Sequence, residues 1–342
     1  MHKLIRRSAV QGAQALILAL ALAGSGPASA GSKPPYEYYV VGNPADASPA
    51  QLPREPSVLL MGGGPDVDAA FPWMITRGGG GDFVVIRARG TDAYNPYIYA
   101  MGGVDSVETL IIPSIEAAND PFVIDRINKA EALFIAGGDQ SDYINYWKGT
   151  GVEQALQGLI ARNVPIGGTS AGLAVMGQFD FAAFNGSAYS DDALANPYYK
   201  RMTLDRTFLT APGLGYVITE AHLDTRDRMG RLVAFMARIV QDGWSGMARG
   251  IGVDVETALA VEGSSVTRLG TGSAYFLQST GLPQVCQPRT PLTYRNLGVQ
   301  RLSGNGRFDL QNWRGYNDAT TNYTLSAESG ILYSTQPGGS IY

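Results

Sequence analysis

The chain has 342 residues, 45% of them hydrophobic and 16% charged, with a formal net charge of −4. That apolar share supports a sizeable core and excludes wholesale disorder, and a mildly acidic chain without a basic stripe excludes nucleic acid as a main partner. A single cysteine, Cys286, excludes an intramolecular disulfide and Cys-rich zinc or iron–sulfur sites, and two histidines, His2 and His222, exclude a His-rich metal centre.

Residues 1–30 read as a signal peptide. MHKLIRR is a positive n-region, Ala15 to Gly24 has the length of an h-region, and Ala28-Ser29-Ala30 fits the small-x-small cleavage pattern. The expected product is secreted or periplasmic, begins at Gly31, and is no longer attached to a membrane. His2 would leave with the leader, so a mechanism that needs imidazole must use His222.

Residues 31–56, rich in Pro, Tyr and small residues, read as an irregular lead-in. Apolar runs then follow at Ser57 to Gly64, Phe83 to Gly90, Val107 to Ile112, Ala132 to Gln140 and Val164 to Gly172, and several end in glycines. Helical spacing lies between them, over Asp120 to Ala130 and Val152 to Ile160. This alternation predicts an α/β domain over 57–265, a predominantly parallel sheet with helices on both faces. Ligands in such folds sit at the carboxyl ends of the strands. Residues 266–342 change texture to short β-type runs separated by Gly, Pro and Asn. They predict a small β-rich C-terminal region, packed on the sheet edge or semi-independent.

Gly168-Thr169-Ser170-Ala171-Gly172 matches the G-x-S-x-G pattern between a strand and a helical run. Flanking glycines remove side chains where strand and helix crowd, and the turn lifts the serine hydroxyl out of the sheet. A serine needs a base to become a nucleophile, and His222 is the histidine available. A hydrogen bond between Ser170 and the ring of His222 is therefore predicted. The third group that would orient the imidazole is Glu256, Asp254 or Glu220. Residue patterns do not decide among these three.

Gly137-Gly138-Asp139-Gln140 closes the preceding strand and should lie beside Ser170. The Gly138 and Ala171 amides are the expected oxyanion hole, and Gln140 could hydrogen-bond substrate. Arg226, Arg228 and Arg231 follow His222. Guanidinium forks recognise carboxylates, although pairing with Asp224 and Asp227 on a solvated helix end explains any one of them equally well. Asp66 and Asp68 could hold a cation, though two loop carboxylates are usually just solvated. Tyr94, Tyr97 and Tyr99 would line a pocket or simply pack.

The order GGDQ (Gly137 to Gln140), GGTSAG (Gly167 to Gly172), H-x-x-x-R-x-R-x-x-R (His222 to Arg231) and GIGVD (Gly250 to Asp254) resembles the cyanophycinases, serine peptidases of the peptidase E-like group, family S51. The resemblance spans about residues 57 to 280. It implies a flavodoxin-like fold similar to class I glutamine amidotransferases with serine in place of cysteine, and a Ser–His–acid triad. It also implies hydrolysis of cyanophycin, multi-L-arginyl-poly-L-aspartate, to β-Asp-Arg dipeptides, without metal or organic cofactor. By motif, Ser170 is the nucleophile and His222 the base. Gln140, Glu220, Arg226, Arg228 and Arg231 fall at substrate-binding positions, and the group is often dimeric. The family's acid usually follows G-I-G-x-D directly; here Val255 holds that place and Glu256 comes next. Ala221 replaces a polar residue common in cyanophycin-cleaving members. Alternatives are an Asp-X or isoaspartyl dipeptidase of the same group and a non-catalytic exported binding protein. A lipase-like esterase would place its histidine nearer the C-terminus.

Overall fold

The computed structural model describes residues 33–45, 55–279, 281–316 and 318–342, and the predicted leader lies outside them. The described chain from residue 34 onward belongs to one compact unit.

Its strands are β1 (Glu37–Gly42), β2 (Ser57–Met61), β3 (Asp82–Arg87), β4 (Ser106–Ile111), β5 (Ala132–Ile135), β6 (Ile166–Thr169), β7 (Phe179–Phe181), β8 (Leu204–Arg206) and β9 (Val217–Glu220). They continue with β10 (Arg249–Val253), β11 (Thr257–Glu262), β12 (Ser265–Gly270), β13 (Ala274–Gln278), β14 (Tyr294–Leu302), β15 (Arg307–Asp309), β16 (Arg314–Gly315), β17 (Thr320–Glu328) and β18 (Ile331–Ser334). One sheet runs β1-β4-β3-β5-β6-β2-β11-β12-β15-β16, and a second runs β18-β17-β14-β13-β10-β9-β7-β8.

The sheets are mixed, which corrects the expectation of a predominantly parallel one. Parallel pairing holds for β4-β3-β5-β6-β2 and for β10-β9-β7. Antiparallel strands flank both blocks. Strands that cross over through helices make the parallel block of the first half, whereas after β10 the chain turns back on itself, as in the β11–β12 and β17–β18 hairpins, and β1 and β8 add antiparallel edges earlier in the chain. The lead-in is also corrected, because Glu37–Gly42 pairs antiparallel with β4. Its half-exposed tyrosines and valines suit an edge strand. The boundary expected at 265/266 falls within the β11–β12 hairpin. β12, β15 and β16 extend the first sheet, and β13, β14, β17 and β18 extend the second.

β2 and β4 are buried along their whole length, as strands covered on both faces must be. Their alternation splits the interior. Val58, Leu60, Val84, Ile86, Leu133 and Ile135 face one core, which they share with Ile251, Val253 and Phe276 of the second sheet. Leu59, Met61, Val85 and Phe134 face another, closed by Phe71 and Met74 of the helix Ala70–Gly78. Burying each such large side chain contributes roughly 1.5–3 kcal/mol. A third core lies under the helix Met229–Gln241, which carries the chain onward from the His222 loop.

Candidate active site

Ser170 stands where β6 ends, between β5 on one side and β2 on the other. Its φ of 54° and ψ of −112° are strained for a residue with a Cβ, at a cost of about 1–3 kcal/mol. The expected crowding is present. A Cβ on Gly168 would lie 2.5 Å from the Gly172 carbonyl carbon, and one on Gly172 would lie 2.0 Å from the Ile135 oxygen. The following helix is one short turn, Ala171–Ala174, closed by the Ala174 N–H on the Ser170 carbonyl.

The hydrogen bond expected across 52 residues is formed: Ser170 Oγ lies 2.8 Å from His222 Nε2. The end of β2 sets this distance through successive main-chain carbonyls. Met61 O accepts from Ser170 N at 3.1 Å, Gly62 O from His222 N at 2.8 Å, and Gly63 O from Glu256 N at 3.0 Å. Gly63 has no substitute here. Its φ is +93°, and a Cβ would sit 2.4 Å from His222 Nε2. Sequence reasoning noted the glycine run after β2 only as a strand ending; a run of three glycines at the end of a buried parallel strand was the available signal.

His222 is buried, and burial first, then the charges of Arg226 and Arg228, push its pKa down to about 4 against the opposing pull of Glu220 and Asp224. The imidazole is therefore neutral at pH 7 and able to accept a proton. For Nε2 to accept from Ser170 Oγ, the ring proton must sit on Nδ1.

Gly138, Gln140, Ser170, Ala171, Thr219, Glu220, Arg226 and Arg228 line a cleft of about 50 Å³, together with Ala174, Phe181 and Ala221. That space holds one or two water-sized groups, so it admits a carbonyl and its nearest substituent. The Gly138 and Ala171 segments both border it.

The model of peptidase family S51 matches residues 98–269 of the 342. The chain belongs to peptidase family S51. It is a serine-type peptidase. It is 29% identical over 222 residues to a cyanophycinase from Trichormus variabilis, covering 62% of this chain and 68% of the relative. It is 24% identical over 221 residues to a cyanophycinase from Geminocystis herdmanii, covering 62% and 74%. Among solved structures, a peptidase from an acI-B1 actinobacterium aligns with a TM-score of 0.45 at 17% identity, over 66% of this chain and 95% of that one. A putative peptidase E protein from Listeria monocytogenes aligns at 0.42 and 16%, over 64% and 100%.

In this S51 chain the expected binding residues divide. Gln140 lines the cleft and donates from Nε2 to the Phe181 carbonyl at 3.2 Å. Arg226 is exposed at the rim. Arg228 donates to the Ala221 carbonyl at 2.8 Å and to Glu220 at 3.3 Å, and burial lowers its pKa to about 10. Arg231, expected at substrate, is 2% exposed and does not line the cleft. It grips both oxygens of Glu220 at 2.8 and 2.6 Å, donates to Ser187 Oγ and the Ala188 carbonyl, and lies over the ring of Phe181. Its donors are spent inside the protein. This corrects Arg231 from substrate ligand to the anchor of the cleft floor, and it commits Glu220 to an internal ion pair.

None of the three acids weighed for the third position hydrogen-bonds His222 among the described residues. Glu256 is exposed with φ +52°, and its amide, not its carboxylate, ties into the site. Asp254 is buried, accepts from Ser273 N at 2.9 Å, and is raised by burial to about 6. The carboxylate that sequence reasoning missed is Asp224, two residues after His222. It acts electrostatically on the imidazole and accepts from Val255 N at 3.3 Å. Its oxygen thus meets the backbone of Val255, the residue directly after Gly250 to Asp254.

Proposed function

We propose that this chain is an exported cyanophycinase that cleaves the poly-aspartate backbone and releases β-Asp-Arg through an acyl-enzyme. The observation that carries the reading is the 2.8 Å contact between Ser170 Oγ and a neutral His222 Nε2 at the floor of an arginine-rimmed cleft. Ser170 Oγ bonds to the aspartyl carbonyl carbon as its proton passes to Nε2, and the oxyanion falls to the Gly138 and Ala171 amides. His222 returns the proton to the leaving nitrogen as the C–N bond breaks. Water, deprotonated by the same imidazole, then releases the acyl group and restores Ser170. Arg226 and Arg228 would hold substrate carboxylates. The cyanophycinase relatives support the substrate, and the leader pattern over 1–30 supports export. The motif order also supports a class I glutamine amidotransferase-like fold.

A second reading, an Asp-X or isoaspartyl dipeptidase, is favoured by Ala221, an apolar wall where cyanophycin-cleaving members commonly carry a polar one. Incubation with purified cyanophycin tests the first reading. Wild type clears the polymer and yields β-Asp-Arg, and Ser170→Ala does not. Cleavage of Asp-X dipeptides with intact polymer would select the second.

A further inference from the structure

A cavity of about 420 Å³, far larger than the cleft at Ser170, opens between Pro65, Asp66 and Asp68 on one side and Ala93, Tyr94 and Tyr97 on the other. Two aromatic rings, their centroids 6.3 Å apart and tilted by 53°, form one wall. Two carboxylates stand at their hydroxyls: Tyr94 donates to Asp66 Oδ1 at 3.2 Å, and Tyr97 donates to Asp68 Oδ1 at 2.5 Å. A carboxylate keeps further lone pairs after one such bond. Aromatic faces and carboxylates together suit a planar, delocalised cation, which stacks and forks in the same place. Burial, opposed by the Tyr94 bond and reinforced by Asp68, holds the Asp66 carboxyl above its ordinary range, so a cation that joined it would relieve a standing desolvation cost.

Two routes connect this cavity to the reacting pair. Gly63 lies against the His222 ring, and Asp66 follows three residues later. Even fully extended, that separation spans at most about 11 Å. On the opposite wall, Arg87 donates to the carbonyls of Arg89 and Thr91 beside Ala93, and to that of Gly137 at 3.5 Å. Gly137 in turn lies against Ser170: a Cβ there would be 3.5 Å from the serine's. The charge of Arg87 reaches Tyr94, but its donors are turned to those carbonyls rather than to Asp66 or Asp68. The cleft itself admits little more than a carbonyl, so the rest of a polymeric substrate has to lie outside it.

We propose that the Asp66–Asp68–Tyr94–Tyr97 cavity is a subsite for a guanidinium side chain of the substrate, borne by a unit next to the one whose carbonyl reaches Ser170. The ligand assignment rests on the cyanophycin reading, in which every backbone unit carries an arginine. Geometry alone supports the cation preference.

The probe is N-acetyl-arginine methylamide, titrated calorimetrically into the full folded chain, with the citrulline analogue as the uncharged control. Wild type should bind the arginine compound at least tenfold more tightly than the citrulline one, and D66N/D68N should lose that preference. The single variant D68N, at an exposed residue, should lose part of it and guards against misfolding of the pair. With (β-Asp-Arg)4 as substrate, D66N/D68N should raise KM about tenfold or more and leave kcat within twofold. Equal binding of the two probes to wild type, or an undiminished preference in both variants, overturns the subsite. If the preference disappears in the variants while wild type fails to cleave the oligomer, the cavity stands as a guanidinium site and the cyanophycin reading falls.

Discussion

The pH dependence of Ser170 reactivity follows from the surroundings of His222. An imidazole at its ordinary 6.5 becomes protonated as pH falls through the mildly acidic range, and the serine then loses its base. Here burial and the two rim arginines lower the value to about 4. At pH 5 a base with pKa 4 is roughly 90% neutral, whereas one with pKa 6.5 is roughly 3% neutral, a difference of about thirtyfold in competent enzyme. The direct assay is the second-order rate of Ser170 labelling by an uncharged fluorophosphonate between pH 3.5 and 8, which needs no assumption about the natural substrate. The acid limb should fall to half its plateau near pH 4. Arg226→Gln removes one of the charges that lower the imidazole, so its limb should move to higher pH. A wild-type limb at 6.5 would refute the picture of a desolvated base held neutral between cations.

Other substitutions probe the supports. Gly63→Ala puts a methyl group against the ring of His222 at a backbone angle that disfavours it, so labelling should slow at least about 100-fold, the scale of a lost general base, with stability reduced by on the order of 1 kcal/mol. Glu220→Ala strips the buried Arg231 of its counter-charge and should cost about 3–5 kcal/mol in urea unfolding. Arg295→Ala, which breaks the exposed pair with Glu328, should cost less than about 1 kcal/mol. Asp254, at about 6 in the fold against 3.8 ordinarily, keeps a proton that the unfolded chain releases. Folding is therefore weakened as pH rises from about 4 to 6, and the penalty is complete above that window. Asp254→Asn should melt higher than wild type at pH 7.5, with the gap closing below pH 4; a gap that ignores pH would contradict this.

The sequence was most informative where local chemistry and long-range packing agree. The buried runs from Ser57 to Thr169 are visible as apolar stretches because both faces of those strands are covered, and most of them stop at glycine, the run Val107 to Ile112 stopping at Pro113 instead. G-x-S-x-G is readable because its five residues stand together, although only Gly168 answers a neighbour within the motif while Gly172 makes room for the Ile135 carbonyl. The path from β10 onward was harder. Half-exposed strands such as β14 and β17 look like isolated β runs, and nothing local says that they continue a sheet whose first strand begins at Phe179. Arg231 misled for a related reason. Its spacing from Arg228 puts it on a helix, but only the packing of Phe181, Phe235 and Glu220 shows that this part of the helix faces inward. Asp224 was read only as a partner for the neighbouring arginines, because its bond to Val255 joins segments that no pattern links. The edge strand Glu37–Gly42 was hidden in a stretch whose prolines and small residues resemble linker.

Because the amides of Ser170, His222 and Glu256 all hang from consecutive peptide units after β2, the spacing of nucleophile and base is written in the main chain. Side chains around the cleft can drift, shrink or change polarity without moving the two atoms that must meet. A redesign of acyl preference could recut Phe181, Thr219 and Ala221 while the reacting distance is inherited unchanged, and the glycine beside the imidazole is the one letter it could not respell.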